Sequence, residues 1–84
     1  MKIKLEEVML SDEAEAVWEE FVARFFEGLR LAKLANKTKE IVKEAEVKGT
    51  ELILRCRWSG KGDKMAEAEM EIPPGHWQWR TSRN

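Results

Sequence analysis

The chain has 84 residues, 43% of them hydrophobic and 37% charged, with 15 lysines and arginines against 16 aspartates and glutamates. This length and mixture describe one folded domain over residues 1–84 with a modest core, and they exclude a disordered chain. A formal charge of −1 with a single cysteine, Cys56, excludes the massed cations that grip duplex nucleic acid, an internal disulfide and a cysteine-based metal cluster.

No apolar run is long enough to span a membrane, and no charged-then-apolar leader opens the chain. The expectation is a soluble protein, cytoplasmic if natural. Lysine and glutamate dominate the polar residues, while Gln78 is the only glutamine and Asn36 and Asn84 the only asparagines. That usage suits a thermostable protein or a de novo designed one.

In chain order, the alternation Lys2-Ile3-Lys4-Leu5-Glu6 predicts a strand within the first ten residues. Ser11 offers an N-cap, and Asp12 and Glu13 place negative charge where a helix dipole favours it. From Asp12 to about Ala35 the period is helical. Ala14, Trp18, Phe21, Phe25, Leu29 and Ala32 form one stripe, with Val17 and Val22 at its flanks. Gly28 interrupts the stripe at a cost of about 1 kcal/mol, which predicts close approach of a curved sheet there. Asn36 is the predicted C-cap. Phe26 and Leu34 lie off the stripe, to be covered either by the curling sheet or by a second copy.

Beyond Asn36 the period becomes two. Ala45 and Val47, then Leu52, Leu54, Cys56 and Trp58, then Ala66, Ala68, Met70 and Ile72 face inward; the alternating positions carry Glu44, Glu46, Arg55, Arg57, Glu67, Glu69 and Glu71. Gly49-Thr50 suits a two-residue turn with glycine first, pairing Val47 with Leu52, Lys48 with Glu51 and Glu44 with Arg55. Ser59 to Asp63 closes the next hairpin, with Arg55 opposite Glu67. Pro73 to His76 closes a third, with Ile72 opposite Trp77, Met70 opposite Trp79 and Glu69 opposite Arg80. Lys43 falls on the inner face and Val42 on the outer, so Thr38 to Lys43 holds either a bulge or a helical turn. Ile53 and Met65 point outward.

The chemistry-bearing residues are few. His76 has no serine, cysteine or second histidine placed beside it by the pattern and reads as a solvated turn residue. Cys56 alternates inward as a core thiol. Glu67, Glu69 and Glu71 share one strand face with arginines for neighbours, which describes a salt-bridged surface and not a catalytic pair. Trp77-Gln78-Trp79-Arg80 has the makings of a stacking platform for single-stranded bases, but the register turns both indoles into the core. There is no glycine-rich phosphate loop and no metal-binding spacing. No catalysis, cofactor or metal is expected.

A strand, one long helix and four meandering antiparallel strands wrapped on it resemble the cystatin/monellin fold, an α+β arrangement. Cystatins that inhibit papain-like proteases present a wedge made of an N-terminal glycine segment, a Gln-x-Val-x-Gly first hairpin loop and a Pro-Trp second hairpin loop. Here the first hairpin reads Ala45-Glu46-Val47-Lys48-Gly49, which matches at Val47 and Gly49 and lacks the glutamine. The second reads Pro73-Pro74-Gly75-His76-Trp77, with proline and tryptophan present but not adjacent, and no glycine precedes Gly28. The resemblance implies that both loops lie at one end of the sheet. The expected role is a non-enzymatic interaction module or structural scaffold whose partner is another protein or a second copy. A cystatin-like cysteine protease inhibitor, or a small-ligand binder with a pocket between helix and sheet, is the alternative. Val47, Gly49, Pro74, His76 and Trp77 are the candidate binding residues.

Overall fold

The computed structural model describes residues 1–35 and 37–80. The N-terminal segment is broken in two. β1 (Lys2–Ile3) is followed by a 3-10 turn at Leu5–Glu7 and then by β2 (Val8–Leu10). The Glu7 side chain causes the break: its carboxylate accepts from the Lys4 N–H at 2.9 Å, while the Glu7 N–H donates to the Lys4 carbonyl at 2.9 Å. Local bonds of this kind compete with a continuing strand.

Helix α1 (Asp12–Leu31) starts where expected, with the Ser11 hydroxyl accepting from the Ala14 N–H at 3.1 Å. It ends four residues earlier than the period suggests. The Lys33 N–H donates to the Arg30 carbonyl and the Leu34 N–H to the Leu29 carbonyl, at 2.9 and 2.8 Å, with Lys33 at a φ of +61°. This is a Schellman closure with a lysine at the left-handed position that glycine normally takes. The cap expected at Asn36 falls outside the described residues. Ala14, Trp18 and Leu29 are buried, and Phe26 and Leu34 pack half-buried against the same core, so cover for them comes from the chain itself. Val17 is 54% exposed.

The antiparallel sheet runs in the order β1, β3 (Val42–Lys48), β4 (Glu51–Ser59), β5 (Met65–Ile72), and it is curved around the helix, giving an α+β fold. The 3-10 turn Thr38–Glu40 occupies the stretch where a bulge or a helical turn was expected. Between β3 and β4 the register is the expected one, with Glu44 opposite Arg55 and Val47 opposite Leu52. Between β4 and β5 it differs by two residues: Arg55 stands opposite Glu69, and Arg57 opposite Glu67. The loop runs from Gly60 to Lys64, closed by the Gly60 N–H on the Lys64 carbonyl at 2.9 Å. A shift of two leaves every side chain on its own face.

The last strand departs from expectation. β6 (Trp77–Trp79) pairs with β2, setting Trp79 opposite Val8 and Trp77 opposite Leu10; the expected pairs of Trp77, Trp79 and Arg80 with β5 do not form. Bonds from the N-terminal segment claim this strand. The Ser11 N–H donates to the His76 carbonyl at 2.8 Å, and the Arg80 N–H to the Glu7 carbonyl at 2.9 Å. The Arg80 guanidinium adds bonds to the Glu6 and Val8 carbonyls at 2.8 and 3.2 Å. The apolar run Val8-Met9-Leu10 needs an antiparallel partner, and β6 supplies it. Val8, Leu10 and Trp77 join the helix over the inner face of the four-stranded sheet.

Gly28 has open space where a side chain would sit, so no close approach explains it, whereas a Cβ on Gly60 would lie 2.5 Å from the Trp58 ring. Gly28→Ala is therefore expected to raise unfolding stability by about 1 kcal/mol. Lys33→Gly should raise it by about 0.5–1 kcal/mol by removing left-handed strain. Gly60→Ala should lower it by about 1–3 kcal/mol through overpacking against Trp58. Urea unfolding of the three variants checks all three signs.

Candidate functional site at the shared tip of two turns

Two turns meet at one end of the sheet. The Gly49-Thr50 turn has its positive φ, +62°, at glycine alone, as a type II′ connection requires. In the second turn the His76 N–H donates to the Pro73 carbonyl at 3.1 Å, with Pro74 next and Gly75 at a φ of +98°; proline and then glycine at the two central positions make a type II turn. The Trp77 indole N–H ties the two together by donating to the Thr50 carbonyl at 3.1 Å. Trp79 stands edge-on to Trp77, with ring centroids 5.6 Å apart and planes at 74°.

Val47, Gly49, Thr50, Pro74, Gly75, Trp77 and Trp79 line a cleft of about 390 Å³. Four of the five residues singled out from the sequence, Val47, Gly49, Pro74 and Trp77, are thus brought together. Thr50, Gly75 and Trp79 complete the group. Trp79 was expected in the core, yet it is 41% exposed. It shares a strand face with Trp77, as spacing by two demands, but β6 pairs with β2 and not with β5, so the Met70 neighbour expected opposite it is absent.

His76 lies elsewhere: it closes the second turn with its side chain 42% exposed, and it also has partners at the helix start. Its Nδ1 sits 3.0 Å from the Ser11 hydroxyl and 3.8 Å from a Glu13 carboxylate oxygen, at the start of the helix. Both neighbours approach the same ring nitrogen. A nucleophile–base–orienter relay needs them on opposite nitrogens, and the Ser11 oxygen also accepts from Ala14 as the helix cap. The arrangement pins the Pro73–His76 turn to the helix.

The outer face of the sheet is an ion-pair lattice. Arg55 lies 3.0 Å from Glu69, 3.3 Å from Glu46, 3.7 Å from Glu67 and 3.8 Å from Glu44. Arg57 reaches Glu44 at 3.1 Å and Glu67 at 3.6 Å. The hydrogen bond from Arg55 holds the Glu46 carboxyl below its ordinary value. Ile53, expected on the wet side, does stand on this face, opposite Glu46 and Glu71, but is 4% exposed; long charged side chains can lay their stems over an apolar neighbour.

Cys56 is a free, buried thiol on the inner face, and burial pushes its pKa up, away from reactivity. The inward Lys43 borders a second cavity of about 390 Å³ between helix, sheet and β2, floored by Trp18 and Leu54 and edged by Glu15 and Arg80. Among the described residues no cluster of histidine, cysteine and carboxylate side chains could hold a metal ion, and no helix is long and apolar enough to cross a membrane. No protein-family model matches the chain, and neither a curated protein nor a solved structure matches it. One helix packed on an antiparallel sheet is compatible with a cystatin-like topology.

Trp77→Ala should cost about 2–4 kcal/mol, because it empties packed volume and frees the Thr50 carbonyl, while Trp79→Ala should cost only about 1 kcal/mol. Denaturant midpoints of the two variants separate a structural indole from a displayed one. A second expectation concerns acid. Because the folded-state pKa of Glu46 lies below its ordinary 4.5, the pairing contributes stability that is full above that value and is lost as pH falls through the folded value. Arg55→Met removes the pairing, so its stability should fall less steeply than that of the parent between neutral pH and about pH 3.

Proposed function

We propose that the protein is a non-enzymatic interaction module, a small scaffold that presents the Gly49 and Gly75 turns to a protein partner. The observation that carries this reading is Trp79, an exposed indole standing against Trp77 in the cleft between the two turns. A displayed tryptophan in a cleft is the side chain on which interface energy most often concentrates. Trp77 is already tied to Thr50, and the proline–glycine turn is rigid, so little entropy is lost when a partner closes over the tip. Affinity capture with the parent protein and with Trp79→Ala tests it. Retention of the partner should drop at least about tenfold in the variant, the scale of a lost hot spot. Equal retention removes the tip as the contact surface and leaves the scaffold role.

A second reading, inhibition of papain-like proteases, is favoured by the 3.1 Å bond that holds both turns at one end. Val47, Gly49, Pro74 and Trp77 occupy positions comparable with the contact residues of the cystatin wedge. On this reading the parent protein slows peptide hydrolysis by papain, and Gly49→Glu abolishes the effect by blocking close backbone approach. Full papain activity at a large excess of the parent protein rejects it.

A further inference from the structure

The opposite edge of the sheet carries a separate inference. β4 pairs with one side of β5, and no described strand pairs with the other, because the chain leaves Ile72 through the Pro73–His76 turn and joins β2. The ladder decides what this edge presents. The Gly60 N–H bonds to the Lys64 carbonyl, and hydrogen-bonded pairs alternate along an antiparallel ladder, so Ala66, Ala68 and Met70 direct their backbone groups toward β4. The N–H and C=O groups of Glu67, Glu69 and Glu71 therefore point away from it, to the open side.

Two further features bear on what fits there. On the outer face, Arg55 and Arg57 are shared among Glu44, Glu46, Glu67 and Glu69, which leaves the edge with an excess of negative charge to which Glu71 adds. On the inner face, a mostly apolar groove of about 200 Å³ lies between the Met70–Pro73 end of the edge and the helix, bordered by Val17, Met70 and Ile72, with Glu13, Glu71 and His76 also lining it. An added strand has its own alternation, one set of side chains beside the glutamates and the other over the groove.

We propose that β5 receives an extended peptide as a fifth strand, one that alternates basic with apolar residues. The basic side chains face Glu67, Glu69 and Glu71, the apolar ones enter the groove beside Val17, and the backbone completes the ladder. A second copy of the chain is the poorer occupant. Antiparallel pairing of β5 with itself, inner faces kept inward, sets glutamate against glutamate along the outer side, and like charges directly opposite are destabilising.

The test uses two capped peptides matching the eight residues of β5 in length, one alternating lysine with valine and the other glutamate with valine. With the lysine peptide bound, amide hydrogen exchange at Glu67, Glu69 and Glu71 should slow by at least about tenfold, while Ala66, Ala68 and Met70, already bonded to β4, change little. The glutamate peptide should leave exchange unaltered. Glu69→Pro removes a donor that β4 does not use and should abolish binding, since proline is tolerated where an edge N–H faces solvent. The double variant Glu67→Lys, Glu71→Lys keeps every backbone donor and should transfer the preference to the glutamate peptide. Binding of the lysine peptide that persists in Glu69→Pro, or that leaves the three amides unprotected, overturns the proposal. So does a dimer of the free protein in sedimentation that Glu69→Pro dissolves, because the edge then belongs to a second copy.

Discussion

Leu52, Leu54 and Cys56 have no solvent exposure at all. They stand at every second position of β4, the strand with a long partner on each side, so its inward face is where the helix, the β2–β6 ribbon and both neighbouring strands converge. Strict alternation along β4 leaves one choice for the intervening residues. Ile53, Arg55 and Arg57 must face outward, whatever the cost of their surroundings.

The outer face follows from that constraint. An arginine in the middle of a sheet has neighbours on both flanking strands, and here all of them are glutamates, which leaves the Arg55 side chain only 12% exposed. Single surface ion pairs contribute little, whereas a lattice ordered by the strands themselves loses less side-chain entropy as it forms. Ile53 lies on this same face, between Glu46 and Glu71 on the flanking strands, and is buried there. The wet face is thus wet only at its rim, and the sheet is packed on both sides at its centre.

The parts of this fold that can be read in the residues are those where two local signals agree. Alternation together with the Gly49 turn defines the β3–β4 register, and the apolar period together with Ser11 locates the start of the helix. Elsewhere a single signal stood alone, or the turn was too loose to fix a register, as between β4 and β5. Periodicity carried the helix past Leu31, because nothing in composition announces a lysine at a left-handed cap. The Pro73–His76 turn has the residues of a hairpin, but a type II turn redirects a chain without specifying which strand it meets next. That choice was made by carbonyls of the N-terminal segment, at Glu6, Glu7 and Val8, which Arg80 bonds from more than seventy residues away. The tip was legible for a related reason: glycine and proline name their own geometry. Trp79 escapes such a reading because β6 pairs with β2 and not with β5, so the neighbours its register promised are absent.

The paired indoles have an optical consequence. Two identical chromophores 5.6 Å apart and steeply inclined cannot absorb independently; their transition dipoles couple, and the far-ultraviolet circular dichroism acquires a signed couplet on top of the signal from helix and sheet. That couplet exists only while β6 holds both rings in register against β2. The end of the molecule that presents its aromatic surface is thereby also the end whose integrity is visible without a label, separately from the melting of the core.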